Sequence, residues 1–216
     1  RKYRIIKADF VPFYEIMVKL DKGERLDQQL VADLIHEGLL SPHGEIAKAY
    51  YSMEASFYEQ EYKRNGNKWQ LVRAISEWRK ADKLEQALNL TNLDLNQVRG
   101  DEVKAAILTN RGFVLRDMEQ LSEATKCASQ AIELQPDNYQ PWLLLSSIYF
   151  KAGDSEKGEE YRDEAESRGA DVDNSDYEMK RLVKNAKNAE EQQKLAKYIL
   201  DKDPSRYGWA KAYLRD

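Results

Sequence analysis

Residues 103 to 170 repeat a pattern of small side chains with a period of 34 residues. Gly112 and Ala124 of the first copy return in the second copy as Ser146 and Gly158. A fixed period of this length is typical of stacked helix–turn–helix hairpins, in which each hairpin covers the apolar edge of its neighbour. Small residues at the repeated positions let two helix axes approach to about 8–10 Å. The pattern therefore predicts a stack of helical hairpins, and an ordinary helical bundle is the alternative that it leaves open.

Helical spacing of apolar residues extends well beyond these two copies. It predicts an all-α chain, a right-handed α-solenoid of helix–turn–helix hairpins with an N-terminal helical segment. Within the first hairpin, the spacing predicts one continuous second helix from 67 to about 91. The predicted organisation is an N-terminal segment over 1–44 and a repeat domain over 45–216, with units at about 45–91, 103–138, 139–170 and 173–204 and a partial unit at 205–216.

Composition argues against several classes of function. The formal net charge of −4 disfavours a general nucleic-acid coat. The sequence contains no run of 18 apolar residues, so it predicts no membrane-spanning helix. The single cysteine, Cys127, cannot form an internal disulfide, which favours a reducing, cytoplasmic setting. The chain opens on Arg1 and not on Met, which suggests either a trimmed chain or a piece of a larger protein.

Reactive side chains are few and scattered. The two histidines, His36 and His43, fall at a helix end and in a loop, without a metal-binding or phosphate-binding motif around them. Cys127 lies within a helical pattern, far in sequence from either histidine, and is expected to be a small packed residue. The many carboxylates of residues 156–166 cover several faces of one helix, as on a solvated outer surface. We therefore expect no enzymatic activity, no catalytic residue, no metal site and no cofactor.

These residues resemble the tetratricopeptide repeat family, most strongly over 103–170. Gly112 stands where the family places a small residue at the helix crossing, and Ala124 and Ala131 keep the second helix slim. The segment from 132 to 136 is similar to the usual end of a repeat. The resemblance implies a non-catalytic protein–protein interaction module or scaffold, in which the first helix of each hairpin lines a concave groove.

The resemblance also assigns residues to a partner-binding groove. They are Phe57, Lys63, Arg64, Asn110, Phe113, Arg116, Ser147, Phe150, Lys151, Tyr177, Arg181 and Lys184. Six of them are basic, whereas only Asp117 and Glu178 are acidic among the groove positions, so the groove departs in sign from the chain as a whole. We therefore expect an acidic protein or peptide segment as the partner, steered by the basic residues and held by the aromatic ones. A chance distribution of eight charges is the alternative.

Two other functions remain open on the sequence alone. A regulatory or assembly domain of a larger multidomain enzyme would carry the same repeats. Single-stranded nucleic acid would use the same basic face, although the net negative charge argues against it. The sequence names neither the partner nor its pathway, and it assigns no role to residues 1–44.

Overall fold

Every regular element in the described part of the chain is helical. The computed structural model describes residues 13–40 and 42–214. The predicted all-α fold is therefore confirmed, and the first 12 residues of the predicted N-terminal segment lie outside the described residues. The α-helices are Phe13–Asp21 (α1), Gln28–His36 (α2), Glu45–Asn65 (α3), Lys68–Lys80 (α4), Leu84–Leu90 (α5), Asp101–Asp117 (α6), Leu121–Leu134 (α7), Tyr139–Ala152 (α8), Ser155–Ser167 (α9), Val172–Lys184 (α10) and Ala189–Lys202 (α11), with short 3₁₀ turns at Leu95–Gln97 and Gly208–Tyr213.

The chain divides into two compact units. Unit 1 is Arg1–Val114 and unit 2 is Leu115–Asp216, so the boundary falls within α6. Helix α1 packs against α3 in unit 1, and the predicted division of the chain between residues 44 and 45 stays a prediction. Successive helices pair within each unit, α3 with α4 in unit 1 and α8 with α9 in unit 2. The predicted superhelical path of the whole chain stays a prediction.

The α3–α4 hairpin of unit 1 is made by a two-residue turn. Gly66 ends α3 in the left-handed conformation, with φ of 71°, which only glycine adopts at little cost. Asn67 then caps α4, because its side-chain oxygen accepts a hydrogen bond from the backbone N–H of Trp69. Leu71 and Ile75 of α4 are almost completely buried, so this helix contributes the apolar stripe of the hairpin.

The structure contradicts the predicted continuous helix from 67 to about 91. The chain turns between α4 and α5, where Asp82 has a φ of 60°. Aspartate tolerates this left-handed conformation better than most residues do. The backbone N–H of Lys83 donates to the carbonyl of Trp78 at 2.9 Å and closes the turn. Apolar spacing continues through the break, so periodicity alone does not locate it.

The small-residue positions of the repeat mark a close helix crossing in unit 2. The Ser146 hydroxyl of α8 donates a hydrogen bond of 2.7 Å to the carbonyl of Gly158 in α9. A Cβ atom added at Gly158 would lie 2.8 Å from the ring of Phe150. The prediction that small side chains allow this close approach is confirmed here, because a side chain at position 158 would collide with the Phe150 ring.

We expect Gly158→Ala to destabilise the protein by about 1–3 kcal/mol, the usual cost of overpacking. The Phe150 ring has to move, since a contact of 2.8 Å is shorter than carbon atoms tolerate. Gly208→Ala is the matched control, because an added Cβ there meets nothing within 4 Å. Chemical denaturation measures both variants, and an equal midpoint for the two would show that the α8–α9 crossing is looser than described.

Candidate partner-binding site

A cleft of about 900 Å³ opens in unit 1 over one face of α3. Helical spacing brings its floor residues to the same side of the helix. They are small or apolar along most of this face, and Phe57 supplies an aromatic ring near one end. The floor residues are Ala49, Ser52, Met53, Ser56, Phe57 and Gln60. The walls are the turn after α1, at residues 20–25, and the turn after α4, at residues 81–83.

An arginine fixes the first wall to α3. The guanidinium of Arg25 donates two hydrogen bonds, of 2.8 and 2.7 Å, to the carboxylate of Glu54. Such a bidentate, charge-assisted pair is among the stronger polar contacts in proteins, and Glu54 is buried. The same guanidinium lies 4.2 Å from the centre of the Phe57 ring. Arg25 therefore sets the position of the aromatic residue on the cleft floor.

The second wall is held by a histidine and a lysine that both contact the carboxylate of Asp82. Nδ1 of His43 lies 2.7 Å from Oδ2 of Asp82, and Nζ of Lys48 lies 3.5 Å from the same oxygen. His43 and Asp82 both have left-handed backbones, with φ of 65° and 60°. The contacts join the loop before α3 to the turn after α4, so both ends of the cleft are held in place.

Three of the predicted groove residues lie on α3. Phe57 lines the cleft as expected. Lys63 and Arg64, at the end of the helix, are 67% and 73% exposed, and each pairs with a carboxylate of the same helix. Lys63 lies 2.6 Å from Glu59, and Arg64 lies 2.5 Å from Glu61. Such exposed pairs contribute little to stability.

The predicted groove residues of α6 in unit 1 face the protein itself. Phe113 is buried, and the guanidinium of Arg79 lies 4.6 Å from its ring centre. Asn110 donates a hydrogen bond of 2.9 Å to the carbonyl of Ala106, one turn earlier. The aromatic contact expected from Phe113 is therefore made with Arg79 inside unit 1.

Five of the predicted groove residues are buried in unit 2. Arg116 and Arg181 are 0% exposed, and Lys151 is 7% exposed. Ser147 and Phe150 are buried as well. Side chains this deeply buried present little charge or aromatic surface, although Phe150 and Lys151 line a smaller cleft of unit 2, so a role of these five residues in partner binding stays a prediction.

The remaining two predicted residues, Tyr177 and Lys184, are partly buried on α10. Burial lowers the pKa of Lys184, and the neighbouring charge of Lys180 lowers it further. Both effects disfavour the charged ammonium group.

Four charges from α6 and α10 form a buried network in unit 2. Nη1 of Arg116 donates to Glu178 at 2.9 Å, and its Nε and Nη2 donate to Oδ1 of Asp117. Nε of Arg181 donates to the other oxygen of Asp117 at 2.8 Å. The residues of the bridging pairs are separated by 62 and 64 positions in sequence. The two acidic residues of the predicted groove thus neutralise its two buried arginines.

A second set of charges converges on Glu119, in the turn after α6. Nζ of Lys151 lies 2.6 Å from one of its carboxylate oxygens, and Nζ of Lys187 lies 3.2 Å from the other. Burial raises the pKa of Glu119, but hydrogen bonds and charge from the two lysines outweigh it, so the pKa lies below its usual value. Lys151 therefore joins α8 to this turn and is not available to an acidic partner.

Breaking the buried network should be costly. Glu178→Gln leaves Arg116 with less compensating charge in a buried site, and the loss of one partner of a buried pair typically costs about 3–5 kcal/mol. Glu123→Gln is the control, because Glu123 pairs with Lys126 at 3.7 Å on the surface, where a pair is worth about 1 kcal/mol or less. Urea denaturation compares them, and similar losses for the two variants would contradict a buried network.

The lowered pKa of Glu119 makes part of the stability depend on pH. Because its folded pKa lies below the unfolded one, this stabilisation is present above the unfolded pKa, about 4.3, and is lost as the pH falls through the folded value. We expect Lys151→Met to raise the pKa of Glu119, as measured by carboxyl NMR titration. An unchanged or lower pKa would show that Lys151 does not hold this carboxylate.

Residues 13–40 and 42–214 contain few features that suggest a metal site, a disulfide or a membrane span. No group of three or more His, Cys, Asp or Glu residues in these ranges is placed to hold a metal ion. Cys127 is buried and is not in a disulfide. None of the helices described there has the length and apolar character needed to cross a membrane.

Comparisons with known proteins relate part of the chain to a family of binding proteins. Residues 75–158 match the model of the ChAPs family, the Chs5p-Arf1p-binding proteins. The structure is similar to a tetratricopeptide repeat protein from Parabacteroides merdae at 16% sequence identity, with a TM-score of 0.42, over 89% of this chain and 68% of that one. No curated protein matches the sequence significantly.

Proposed function

We propose that this chain is a non-catalytic protein–protein interaction module, and that a segment of the partner lies in the cleft of unit 1. The observation that carries the proposal is the construction of the cleft. Its floor along α3 combines small, apolar and polar side chains, and charged contacts at Arg25 and Asp82 fix both walls. A site whose walls are already ordered loses less conformational entropy when it binds.

Two general considerations support protein binding. Stacks of helical hairpins commonly serve as extended binding surfaces. The family whose model matches residues 75–158 is described by its binding of Chs5p and Arf1p, and the match includes the wall at 81–83. Proteins related to Chs5p and Arf1p are therefore the first partners to test.

The rival sites and functions find less support. Three of the six cations of the predicted groove, Arg116, Lys151 and Arg181, are engaged by carboxylates of unit 2, which weakens both the predicted groove and the nucleic-acid alternative. A smaller cleft of about 400 Å³ lies between α8, α10 and α11, and the Glu119–Lys187 pair lies beside it. A role within a larger multidomain enzyme stays a prediction, and it is compatible with the same binding cleft.

The acidic character of the partner stays part of the proposal, although it now rests on different residues. Charges along the unit 1 cleft are nearly balanced, since Arg25 is paired with Glu54 and Lys48 with Asp82. Recognition in the cleft should therefore depend mainly on shape, with apolar contact at Met53 and Phe57 and hydrogen bonds from Ser52, Ser56 and Gln60. Attraction for an acidic segment has to come from cations of unit 1 that are not already paired.

A peptide-display selection on the immobilised chain tests the proposal. We expect the selected peptides to lose at least about tenfold in affinity for Ala49→Arg, because the new side chain fills the cleft floor. Ala32→Arg is the matched control, the same change at an exposed helical alanine outside the cleft. The proposal fails if the selection enriches no peptide, or if every selected peptide binds both variants equally well.

A further inference from the structure

One edge of the α3–α4 hairpin carries two cations, each of which contacts a tyrosine side chain. Nζ of Lys68 donates to the hydroxyl of Tyr62 at 2.8 Å and lies 4.8 Å from its ring centre. Nη1 of Arg73 donates to the hydroxyl of Tyr58 at 3.3 Å, and its guanidinium lies 5.3 Å from that ring centre. Trp69 lies one turn before Arg73 and is 42% exposed. We call these five residues the tyrosine–cation edge.

The cations of this edge have no carboxylate partner among the residues that the structure describes. Neighbouring carboxylates of α3 are engaged elsewhere. Glu54 binds Arg25, Glu61 binds Arg64, and Glu59 accepts from Lys63 and from the indole of Trp78. In a chain of net charge −4, two adjacent uncompensated cations form a local positive surface.

Each cation and its tyrosine form a pair of donors for an anion. A tyrosine hydroxyl donates as well as accepts, so an arriving carboxylate can accept one bond from the cation and one from the hydroxyl. At Tyr58 a second guanidinium is near, because Nη2 of Arg25 lies 3.5 Å from the hydroxyl. Hydrogen bonds with charged partners are about twice as strong as neutral ones.

The spacing of the two donor pairs suits a polypeptide. Tyr58 and Tyr62 are four residues apart on α3, which is about 6 Å along the helix axis. Carboxylates four residues apart on a partner helix have the same spacing, and those two residues apart on an extended segment have a similar one. The exposed indole of Trp69 adds apolar contact beside them.

We propose that the tyrosine–cation edge binds an acidic segment of a protein partner, with two carboxylates at this spacing and an apolar side chain against Trp69. The inference rests on the proposed function and adds a second, charged contact outside the cleft. A nucleic-acid strand is the less suitable ligand, because it needs a longer run of cations than the two present here.

The test uses the full chain and peptides from a display selection, with a double variant, Lys68→Glu/Arg73→Glu. We expect peptides that carry paired Asp or Glu residues to bind this variant at least about tenfold more weakly, and to bind the unaltered chain more weakly as salt rises. Lys126→Glu/Lys197→Glu is the control for net charge, since both lysines are exposed and lie in unit 2. Circular dichroism confirms that each variant is folded.

Other outcomes separate this inference from the proposed function. If selected peptides depend on Ala49 but bind the Lys68→Glu/Arg73→Glu variant normally, the cleft binds a partner and the edge does not. If an oligo-dT strand binds the edge and no acidic peptide does, the ligand is a nucleic acid and the inference is wrong. An empty selection overturns both proposals. If both double variants lose the same affinity for the acidic peptides, the effect is due to net charge alone, and the inference is wrong.

Discussion

Buried arginines in unit 2 have to be neutralised within the protein, and this requirement decides where a partner can bind. Arg116 and Arg181 lie out of contact with water, where an unpaired charge is prohibitively unfavourable. Asp117 and Glu178 supply the opposite charges and thereby hold α10 beside the end of α6. The inward-facing charges that a repeat alignment assigns to ligand binding are here part of the structure that holds the helices together.

The same criterion separates two kinds of cation in unit 1. Arg25 is engaged by a buried carboxylate and positions Phe57, so it shapes the cleft more than it attracts a partner. Lys68 and Arg73 contact only tyrosine side chains among the contacts described for them, and these neutral groups leave their charge uncompensated. A partner that is both apolar and acidic would use the cleft and the edge together.

Sequence patterns were sufficient for most helices because the local signals agreed with the fold. Asn138 caps α8 and Gly153 ends it with φ of 85°, as the residue types suggest. The break at Asp82 was missed because a left-handed aspartate interrupts the helix without interrupting the apolar spacing. The pairing of Arg116 with Glu178 was missed because it joins residues 62 positions apart. The sequence contains one signal of this pairing, because both acidic groove positions, Asp117 and Glu178, lie among the basic ones. A count of charges by sign does not show which of them pair with one another.

Hydrogen–deuterium exchange of the chain, with and without a selected acidic peptide, tests the central claim most directly. The claim is that partner binding uses the α3–α4 hairpin of unit 1 and not α8 and α10 of unit 2. We expect amides of α3 and α4 to exchange more slowly in the complex, while those of α8 and α10 keep their rates. Slower exchange in α8 and α10, with α3 and α4 unchanged, would contradict the account.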